Sequence, residues 1–313
     1  MTKKLISIVT PAYNEEDCVE ELYSQLSKVM NSLNNYDFEV IIVENGSKDC
    51  TFQKLLAIHK KDNRFKILRL SRNFFADGGI TAGLKHIKGD AAIMMCADLQ
   101  DSPDLIPQFI KKWEEGYENV FAIVNKRVKI NIIRRINSQL FYMIINRLTK
   151  NLIPKNASDY RLIDKKIYQV INSMNERSRF VRGMVAWTGF KSIGIPFDRQ
   201  PRFAGKSNAP TLLTIKLALA AILGFSNAPL KIASFLGIAI SSLSFLALFV
   251  LTAKFILFGV PFPGFGTIVC LFLLMFGMLF TILGIIGEYV GMIFEEVKGR
   301  PNFIVKDKFG IED

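Results

Sequence analysis

The stretch MMCADLQD, residues Met94–Asp101, runs from apolar side chains into side chains with oxygen ligands. The run that precedes the oxygens, Ala91–Met95, is short and apolar and has the pattern of a buried strand. The polar residues that follow it are Asp98, Gln100 and Asp101. Carboxylate and amide oxygens bind Mg²⁺ and Mn²⁺, so a strand that ends in them predicts a metal and phosphate site. Cys96 stands where a third acid would suit such a site.

Four further runs have the composition of short strands, and helical patterns separate them. The runs are Leu5–Val9, Phe38–Val43, Phe65–Leu70 and Val120–Val124. Glu15–Met30 and Thr51–His59 place apolar residues at helical spacing. This alternation predicts an α/β, Rossmann-like domain with a mostly parallel sheet.

Polar motifs follow the first four strands at the edge where such sheets bind ligands. They read PAYNEE, ENGSKD, SRNFFADGG and CADLQD. Tyr13 can stack on a base, Asn14 and Glu15 can bond a base edge or a ribose, and Glu44 can accept from ribose hydroxyls. The alternative is local: Asn14 and Glu15 start a helix, and Asn45-Gly46 turns the chain. Four motifs at four successive strand ends favour the nucleotide site.

The segment DSPDL after the fourth strand supports two roles. Asp98 and Gln100 can hold a Mg²⁺ or Mn²⁺ ion that neutralises a diphosphate leaving group. Asp101 or Ser102 can instead cap a helix that has Pro103 at its first position. We assign the metal to Asp98 and Gln100, and the cap to Asp101 or Ser102.

Two long apolar stretches near the C-terminus predict membrane spans. The 313-residue chain is 50% hydrophobic with a mean hydropathy of +0.25, which exceeds what a soluble α/β enzyme usually shows. Ile232–Ala253 and Phe255–Gly287 hold no charged residue and reach the roughly 20 residues that a spanning helix needs. FGVPFPGFG at their junction supplies the Pro and Gly of a tight turn, so we expect a two-span hairpin.

Basic residues near the spans predict the orientation of the hairpin. Those at its outer ends are Lys216, Lys231, Lys298, Arg300, Lys306 and Lys308, whereas Lys254 lies near the turn. Both termini are therefore expected in the cytoplasm, with the protein in the cytoplasmic membrane. The formal net charge of +12 suits a domain held against an anionic leaflet. Nucleic acid is rejected as a partner because the sequence has no reader motif for it.

The shift in hydropathy near residue 211 predicts three regions. Residues 1–210 form the cytoplasmic catalytic domain. Residues 211–227 form an amphipathic helix in the membrane interface. Residues 228–313 form the hairpin and a cytoplasmic tail. The four cysteines show no CxxC pairing, which is typical of reduced thiols.

Eight motifs in order resemble one family, the inverting GT-A glycosyltransferases of the dolichol-phosphate mannose synthase and bactoprenol glucosyltransferase type. The motifs are PAYNEE, ENGSKDCT, SRNF, ADLQDSP, SDYRLID, RFVRGMVAWTGF, RFAGKS and GEYVGMIFEEVKGRP. The resemblance implies a GT-A fold and the transfer of a sugar from a nucleotide-sugar to a polyprenyl phosphate at the membrane. For a bacterial member it favours UDP-glucose and undecaprenyl phosphate, with UDP-N-acetylhexosamine, UDP-galactose and GDP-mannose as alternatives. We also expect a homo-oligomer.

Carried over residue by residue, the resemblance assigns most of the site. Donor contacts would be Pro11, Tyr13, Asn14, Glu15, Glu44, Ala97 and the diphosphate-clamping Arg202. Asp98 and Gln100 would hold the metal. Asp159 would lie near the transferred sugar, or else cap the turn before Tyr160. For the acceptor phosphate we expect Arg127, Arg134, Arg135 and Arg182, which could otherwise bind lipid headgroups.

Two positions depart from the family pattern. Cys96 replaces a common aspartate, and Glu44-Asn45 replaces a pair of aspartates. A thiol suits Mg²⁺ poorly, so we expect Cys96 beside the metal rather than on it. A degenerate nucleotide binder is the rival interpretation. A processive polysaccharide synthase is disfavoured because the Gln-x-x-Arg-Trp motif is missing.

Overall fold

The computed structural model describes residues 3–125, 154, 156–177, 179–201, 203, 228–258 and 264–312. The chain divides into two compact units, Met1–Ala218 with Arg300–Asp313, and Leu219–Gly299. Several predicted residues lie outside the described ranges: Arg127, Arg134, Arg135, Arg202 and the interface helix at 211–227. The boundaries at 210 and 227 therefore stay predictions.

The first unit alternates strands and helices through most of its length. Its described strands are β1 (Lys4–Ala12), β2 (Tyr36–Glu44), β3 (Phe65–Leu70), β4 (Ala91–Met94), β5 (Asn119–Val124), β6 (Ala157–Asp164), β7 (Ser192–Phe197) and β8 (Val305–Phe309). Its described helices are α1 (Val19–Ser32), α2 (Thr51–Lys61), α3 (Phe75–Leu84), α4 (Ile106–Glu114), α5 (Lys165–Ser173) and α6 (Val181–Trp187). A short 3₁₀ turn, Pro103–Leu105, precedes α4.

The strands form one mixed sheet in the order β7-β5-β6-β4-β1-β2-β3-β8. The central strands β4, β1, β2 and β3 are parallel to one another. β6 is antiparallel to both β4 and β5, and β8 is antiparallel to β3. The α/β class and the mostly parallel sheet are confirmed. The loops after β1, β2 and β4 consequently lie at one edge.

Buried apolar side chains on both faces hold the sheet between layers of helices. α1 turns Val19, Leu22 and Leu26 into the core, where all three are fully buried. On α3 the contact with the sheet is closer, because a Cβ added at Gly83 would lie 2.3 Å from Cγ1 of Val9. Small residues in α3 therefore let its backbone pack directly on the end of β1.

Five strands match the sequence prediction closely, and three were not predicted. β3 has the predicted bounds, and the others differ by one to three residues at an end. The strands β6, β7 and β8 were missed, since β6 and β8 mix charged residues with apolar ones and β7 contains Gly194 and Pro196. β8 is the most consequential of them, because it follows the apolar helices in the chain and yet joins the sheet of the first unit.

The second unit consists of two long apolar helices, α7 (Ala228–Phe258) and α8 (Phe265–Lys298). Each contains a stretch long and apolar enough to cross a membrane, Pro229–Ala247 and Leu274–Lys298, and most side chains there are exposed. Two apolar helices are found as predicted, and the predicted turn FGVPFPGFG, residues 258–266, covers the interval between the end of α7 and the start of α8. The charge-free stretch Phe255–Gly287 therefore includes the last residues of α7, and α8 continues past Gly287.

Gly83→Ala should destabilise the first unit, because its new methyl group would also lie 3.2 Å from Cγ2 of Val43. Overpacking of this kind costs about 1–3 kcal/mol. We expect a lower midpoint of thermal unfolding for the detergent-purified protein. Gly237→Ala, at a helical site with nothing within 4 Å, is the matched control. Adding Val9→Ala should restore part of the loss, and an unchanged midpoint for Gly83→Ala would contradict the packing argument.

Candidate active site

The loops after β1 and β2 are fastened to each other by side chains of the PAYNEE motif. Asn14 accepts a hydrogen bond at Oδ1 from the Lys48 backbone N–H at 2.9 Å, and its own N–H donates to Ser47 Oγ at 3.1 Å. The Glu15 N–H donates to Thr51 Oγ1 at 2.9 Å. Asn14 has a φ of 54°, a left-handed conformation that few residues other than glycine adopt. Such an outlier needs surrounding support, which these bonds supply.

Asn14 and Glu15 therefore do more than start a helix. α1 begins four residues after Glu15, with Cys18 at the cap position and no side-chain capping bond. Tyr13 and Pro11 are half-buried at the same strand end. The structure thus brings together the predicted donor residues of the first motif.

Glu44 and Asn45 are buried, and their side chains organise the neighbouring loops. Asn45 accepts from the Phe74 N–H and donates to the Phe75 carbonyl, both at 2.9 Å, which holds the loop after β3. Glu44 is only 1% exposed. Its carboxylate accepts from the Ser47 N–H at 2.5 Å and from Arg69 Nε at 3.3 Å. Gly46, which separates Asn45 from Ser47, has a left-handed φ of 72° and lies against the backbone of Arg72. A side chain would therefore not fit there.

The predicted metal ligands lie in the loop that follows β4. Asp98 is 5% exposed, and its Oδ1 accepts from the Gln100 N–H at 3.2 Å. Leu99 between them has a φ of 57°, so the loop turns sharply in a left-handed conformation. Gln200 and Phe203 lie over this loop, and the Gln200 N–H donates to the Gln100 carbonyl at 3.3 Å. The Phe203 N–H donates to the Asp98 carbonyl at 3.5 Å.

Ser102, rather than Asp101, caps the turn that leads to α4. Its Oγ accepts from the Asp104 N–H at 3.3 Å, with Pro103 at the first position as predicted. Asp101 is instead fully buried, and neither of its carboxylate oxygens has a side-chain hydrogen-bond partner. Burial raises the pKa of Asp101 to about 6, although Arg199 at 3.4 Å opposes the rise. The assignment of the cap to Asp101 is therefore wrong, and Asp101 is instead a buried acid beside the loop that carries Asp98.

Cys96 lies among these acids as a neutral group. Burial raises the pKa of its thiol well above the usual range, and the charges of Asp101 and Asp98 raise it further. The thiol is therefore protonated at neutral pH, and a protonated thiol is a poor metal ligand. Its position suits a residue beside a metal rather than one that coordinates it.

Asp159 on β6 forms an ion pair with Arg182 on α6, which unites two residues predicted for different roles. Arg182 donates through Nε to Oδ1 at 2.7 Å and through Nη2 to Oδ2 at 2.5 Å, a two-pronged geometry. Burial disfavours ionisation of Asp159, but the ion pair outweighs it and lowers the pKa to about 2. The alternative turn cap is filled by Ser158, whose Oγ accepts from the Tyr160 N–H.

A buried arginine, Arg161, was missed by the sequence analysis. It is 3% exposed on β6, and one terminal nitrogen donates to the Ser158 carbonyl at 2.8 Å. Burial lowers its pKa to about 10, so it stays charged at neutral pH, and Asp159 favours that charge. Only its burial near the acids, which the sequence does not reveal, distinguishes it from a surface arginine.

Among the described residues, no group of three or more His, Cys, Asp and Glu side chains is placed to hold a metal ion. Asp98 and Gln100 would supply two hard oxygen ligands, and the buried carboxylate of Asp101, which has only a loose contact with Arg199, makes the surroundings favourable to a cation. The residues present therefore fit Mg²⁺ or Mn²⁺ with the remaining ligands from water or phosphate.

Asp77 on α3 is a further acid close to Asp159, and it allows a test by pH. Its Oδ1 accepts from the Val181 N–H at 3.1 Å. Burial, followed by the charge of Asp159, raises the pKa of Asp77 from its ordinary value of 3.8 to about 6. The folded state then binds more protons than the unfolded state between these values, so stability falls as pH rises through that window.

Asp77→Asn should abolish the loss of folding stability with rising pH, because the amide does not ionise. The amide also keeps the oxygen that accepts from the Val181 N–H. The unfolding midpoint of the variant should exceed that of the wild type at pH 7 and approach it at pH 4, as measured by thermal unfolding. Asp104→Asn, on an exposed residue, is the control. A constant difference across pH would contradict a raised pKa for Asp77.

Comparisons with solved structures and with curated sequences differ in strength. Glucosyl-3-phosphoglycerate synthase from Mycobacterium tuberculosis, in complex with Mn²⁺ and UDP-glucose, aligns with 16% identity and a TM-score of 0.48 over 70% of this chain and 78% of its own. A Pyrobaculum calidifontis mannosyltransferase aligns with 14% identity and a TM-score of 0.45 over 96% and 86%. These likenesses are too weak to assign ligands.

The sequence relatives are closer and span nearly whole chains. An uncharacterised glycosyltransferase of Synechocystis is 39% identical over 98% of this chain and 96% of its own. The SfII prophage-derived bactoprenol glucosyl transferase of Shigella flexneri is 32% identical over 96% and 97%. The model of glycosyl transferase family 2 matches residues 7–171. The chain belongs to glycosyl transferase family 2 and is a GT-A glycosyltransferase.

Proposed function

We propose that this enzyme transfers a hexose, with glucose from UDP-glucose as the first choice, to undecaprenyl phosphate at the cytoplasmic membrane face. The observation that carries the proposal is the meeting of the nucleotide motifs, the Asp98 loop and the Asp159–Arg182 pair at one sheet edge. Relatives named bactoprenol glucosyl transferase at 31–32% identity support the lipid acceptor. Their similarity covers 96–97% of this chain, which includes both apolar helices.

The donor would bind against the loops after β1, β2 and β4. Tyr13, Asn14 and Glu15 would contact the base and ribose, with Pro11 and Ala97 alongside. Glu44 would contribute its remaining acceptor capacity, since a carboxylate has about four lone-pair sites. Arg202 would clamp the diphosphate.

Asp98 and Gln100 would hold Mg²⁺ or Mn²⁺. When bound, the ion neutralises charge on the departing nucleoside diphosphate. Both residues offer hard oxygens, whereas the protonated Cys96 beside them contributes none. This arrangement favours a working site over the degenerate alternative.

The acceptor phosphate is already anionic at neutral pH, so the attack on the anomeric carbon needs little help from a base. Inversion follows from in-line attack opposite the leaving diphosphate. Positioning and charge stabilisation would therefore supply most of the rate. Asp159 stays ionised at all physiological pH values and would stabilise positive charge that develops on the sugar. Arg182 would orient Asp159 and bring cationic charge towards the acceptor phosphate, together with Arg127, Arg134 and Arg135.

The proposed topology places the catalytic domain and both termini in the cytoplasm. α7 and α8 would cross the membrane twice, and an even number of crossings returns the tail to the side it left. The pairing of β8 with β3 supports this, because a strand after both helices joins the catalytic sheet. We propose a multi-pass protein that assembles as a homo-oligomer.

Asp98→Asn should abolish transfer, because an amide is a much weaker ligand than a carboxylate for a divalent cation. The assay is conversion of radiolabelled UDP-glucose into a lipid-extractable product with undecaprenyl phosphate and Mg²⁺ or Mn²⁺. We expect a loss of at least about 100-fold in kcat, in keeping with removal of a main electrostatic contact. Asp104→Asn, six residues along and exposed, should keep activity.

One result would contradict the prediction for Asp98, and a different result would contradict the proposed function. Normal turnover by a folded Asp98→Asn variant would remove Asp98 from the metal site. Failure of the wild type to label lipid with any of UDP-glucose, UDP-N-acetylhexosamine, UDP-galactose and GDP-mannose would reject the proposed function and favour a non-catalytic nucleotide binder.

Single cysteines can test the topology. In a background with all four native cysteines replaced, Gly264→Cys at the start of α8 should react with a membrane-impermeant maleimide in intact cells. Glu312→Cys at the end of the tail should react only after permeabilisation, because the tail lies with the catalytic sheet. Labelling of the tail in intact cells would overturn the cytoplasmic assignment.

A further inference from the structure

We propose that Asp307, on the strand that follows the last apolar helix, positions Glu44 in the donor site through Arg69. This inference rests on the proposed function, which places Glu44 against the donor nucleotide. It makes the C-terminal tail a working part of the catalytic domain. Asp307 and Arg69 are positioning residues, since neither is proposed to touch the donor.

The three side chains occupy one row across three adjacent strands. Glu44 on β2 is the register partner of Arg69 on β3, and Arg69 is in turn the partner of Asp307 on β8. Arg69 Nε lies 3.3 Å from Glu44 Oε2, and its Nη1 lies 3.4 Å from Asp307 Oδ2. One guanidinium group therefore bridges the buried carboxylate and the tail.

Aromatic packing holds the guanidinium in this place. The carbon at the centre of the Arg69 guanidinium lies 3.9 Å from the ring centroid of Phe52, within cation–π range. Phe52 in turn packs against Phe309 of β8, with ring centroids 5.8 Å apart. The tail thus supports Arg69 directly by the charge of Asp307 and indirectly by Phe309, which packs against the Phe52 ring that covers the guanidinium.

Glu44 depends on this support because it is buried. Its Oε1 accepts from the Ser47 N–H, which belongs to the loop that Asn14 also holds. Its Oε2 is satisfied by Arg69. A buried carboxylate without its cation is strongly destabilised, so loss or reorientation of Arg69 should displace Glu44 and the loop after β2 together.

One backbone hydrogen bond and two side-chain hydrogen bonds hold the tail in place independently of Asp307. The Ser71 N–H donates to the Ile304 carbonyl at 2.9 Å, and Arg177 donates to the Arg300 carbonyl at 2.8 Å. Asn302 donates to the Glu176 carbonyl at 3.0 Å. Removal of the Asp307 carboxylate should therefore leave β8 paired with β3. Any change in donor binding would then come from the lost contact with Arg69.

The expected sign separates positioning from simple electrostatics. The donor is an anion, so deletion of a negative charge near its site would by itself lower the KM. If the half-buried Asp307 positions Arg69, its removal should instead raise the KM for the donor. A raised KM for the donor after its removal therefore identifies a positioning role.

The test compares Asp307→Ala with Glu312→Ala. Glu312 is an exposed acid on the same tail, and it pairs with Lys88 of the segment between α3 and β4. For Asp307→Ala we expect a KM for UDP-glucose raised roughly threefold to tenfold, as for a weakened charge-assisted hydrogen bond. Its kcat should stay within about twofold, because such a change removes ground-state and transition-state binding equally. Arg69→Met should raise the KM further, and Asp307→Ala should add nothing in the Arg69→Met background. Glu312→Ala should match the wild type.

Binding of UDP and GDP to each purified variant, measured by calorimetry, distinguishes failure of this inference from failure of the proposed function. Nucleotide binding by the wild type with an unchanged Kd and KM in Asp307→Ala would reject the positioning role alone. Equal effects of Asp307→Ala with and without Arg69 would reject the route through Arg69. Absence of nucleotide binding by the wild type would reject the Glu44 assignment, and this inference with it.

Discussion

The site depends on the parallel pairing of β1 with strands on both sides. Because β2 and β4 run in the same direction as β1, the loops that leave all three strands must meet at one edge. Reversal of β6 beside β4 then brings Asp159, near the start of β6, to the edge where β4 ends. A chain segment just over sixty residues farther along the sequence thereby supplies an acid close to Asp98.

The same convergence creates an electrostatic problem, because several acids share a poorly solvated region. The ease with which each acid ionises depends on the group that contacts its carboxylate. Asp159 has a direct arginine and ionises readily, whereas Asp77 and Asp101 are held by a backbone N–H or a looser arginine contact and resist ionisation. Arg161 adds a buried positive charge behind them. A divalent cation would relieve the remaining excess, which accords with the oxygen ligands of the loop after β4.

The sequence predicts the parts of this arrangement that local patterns encode. The central strands and the strand-end motifs were predicted because apolar runs and the polar residues after them are contiguous. β6, β7 and β8 were not predicted, since the identity of an edge or antiparallel strand depends on its partner. For the same reason Asp77, Asp101 and Arg161 were missed or misassigned. Their importance comes from burial beside other charges, which no local pattern reports.

Cys96 illustrates how the charge balance constrains the site. A carboxylate in its place would add another negative charge close to Asp98 and Asp101, and burial would penalise that charge further. The neutral thiol fills the position without this cost, since its pKa is raised well above neutrality. A site with fewer protein carboxylates would leave more of the coordination of a cation to the donor's own phosphate oxygens. The substitution is therefore compatible with a cation that binds chiefly together with the nucleotide-sugar rather than before it.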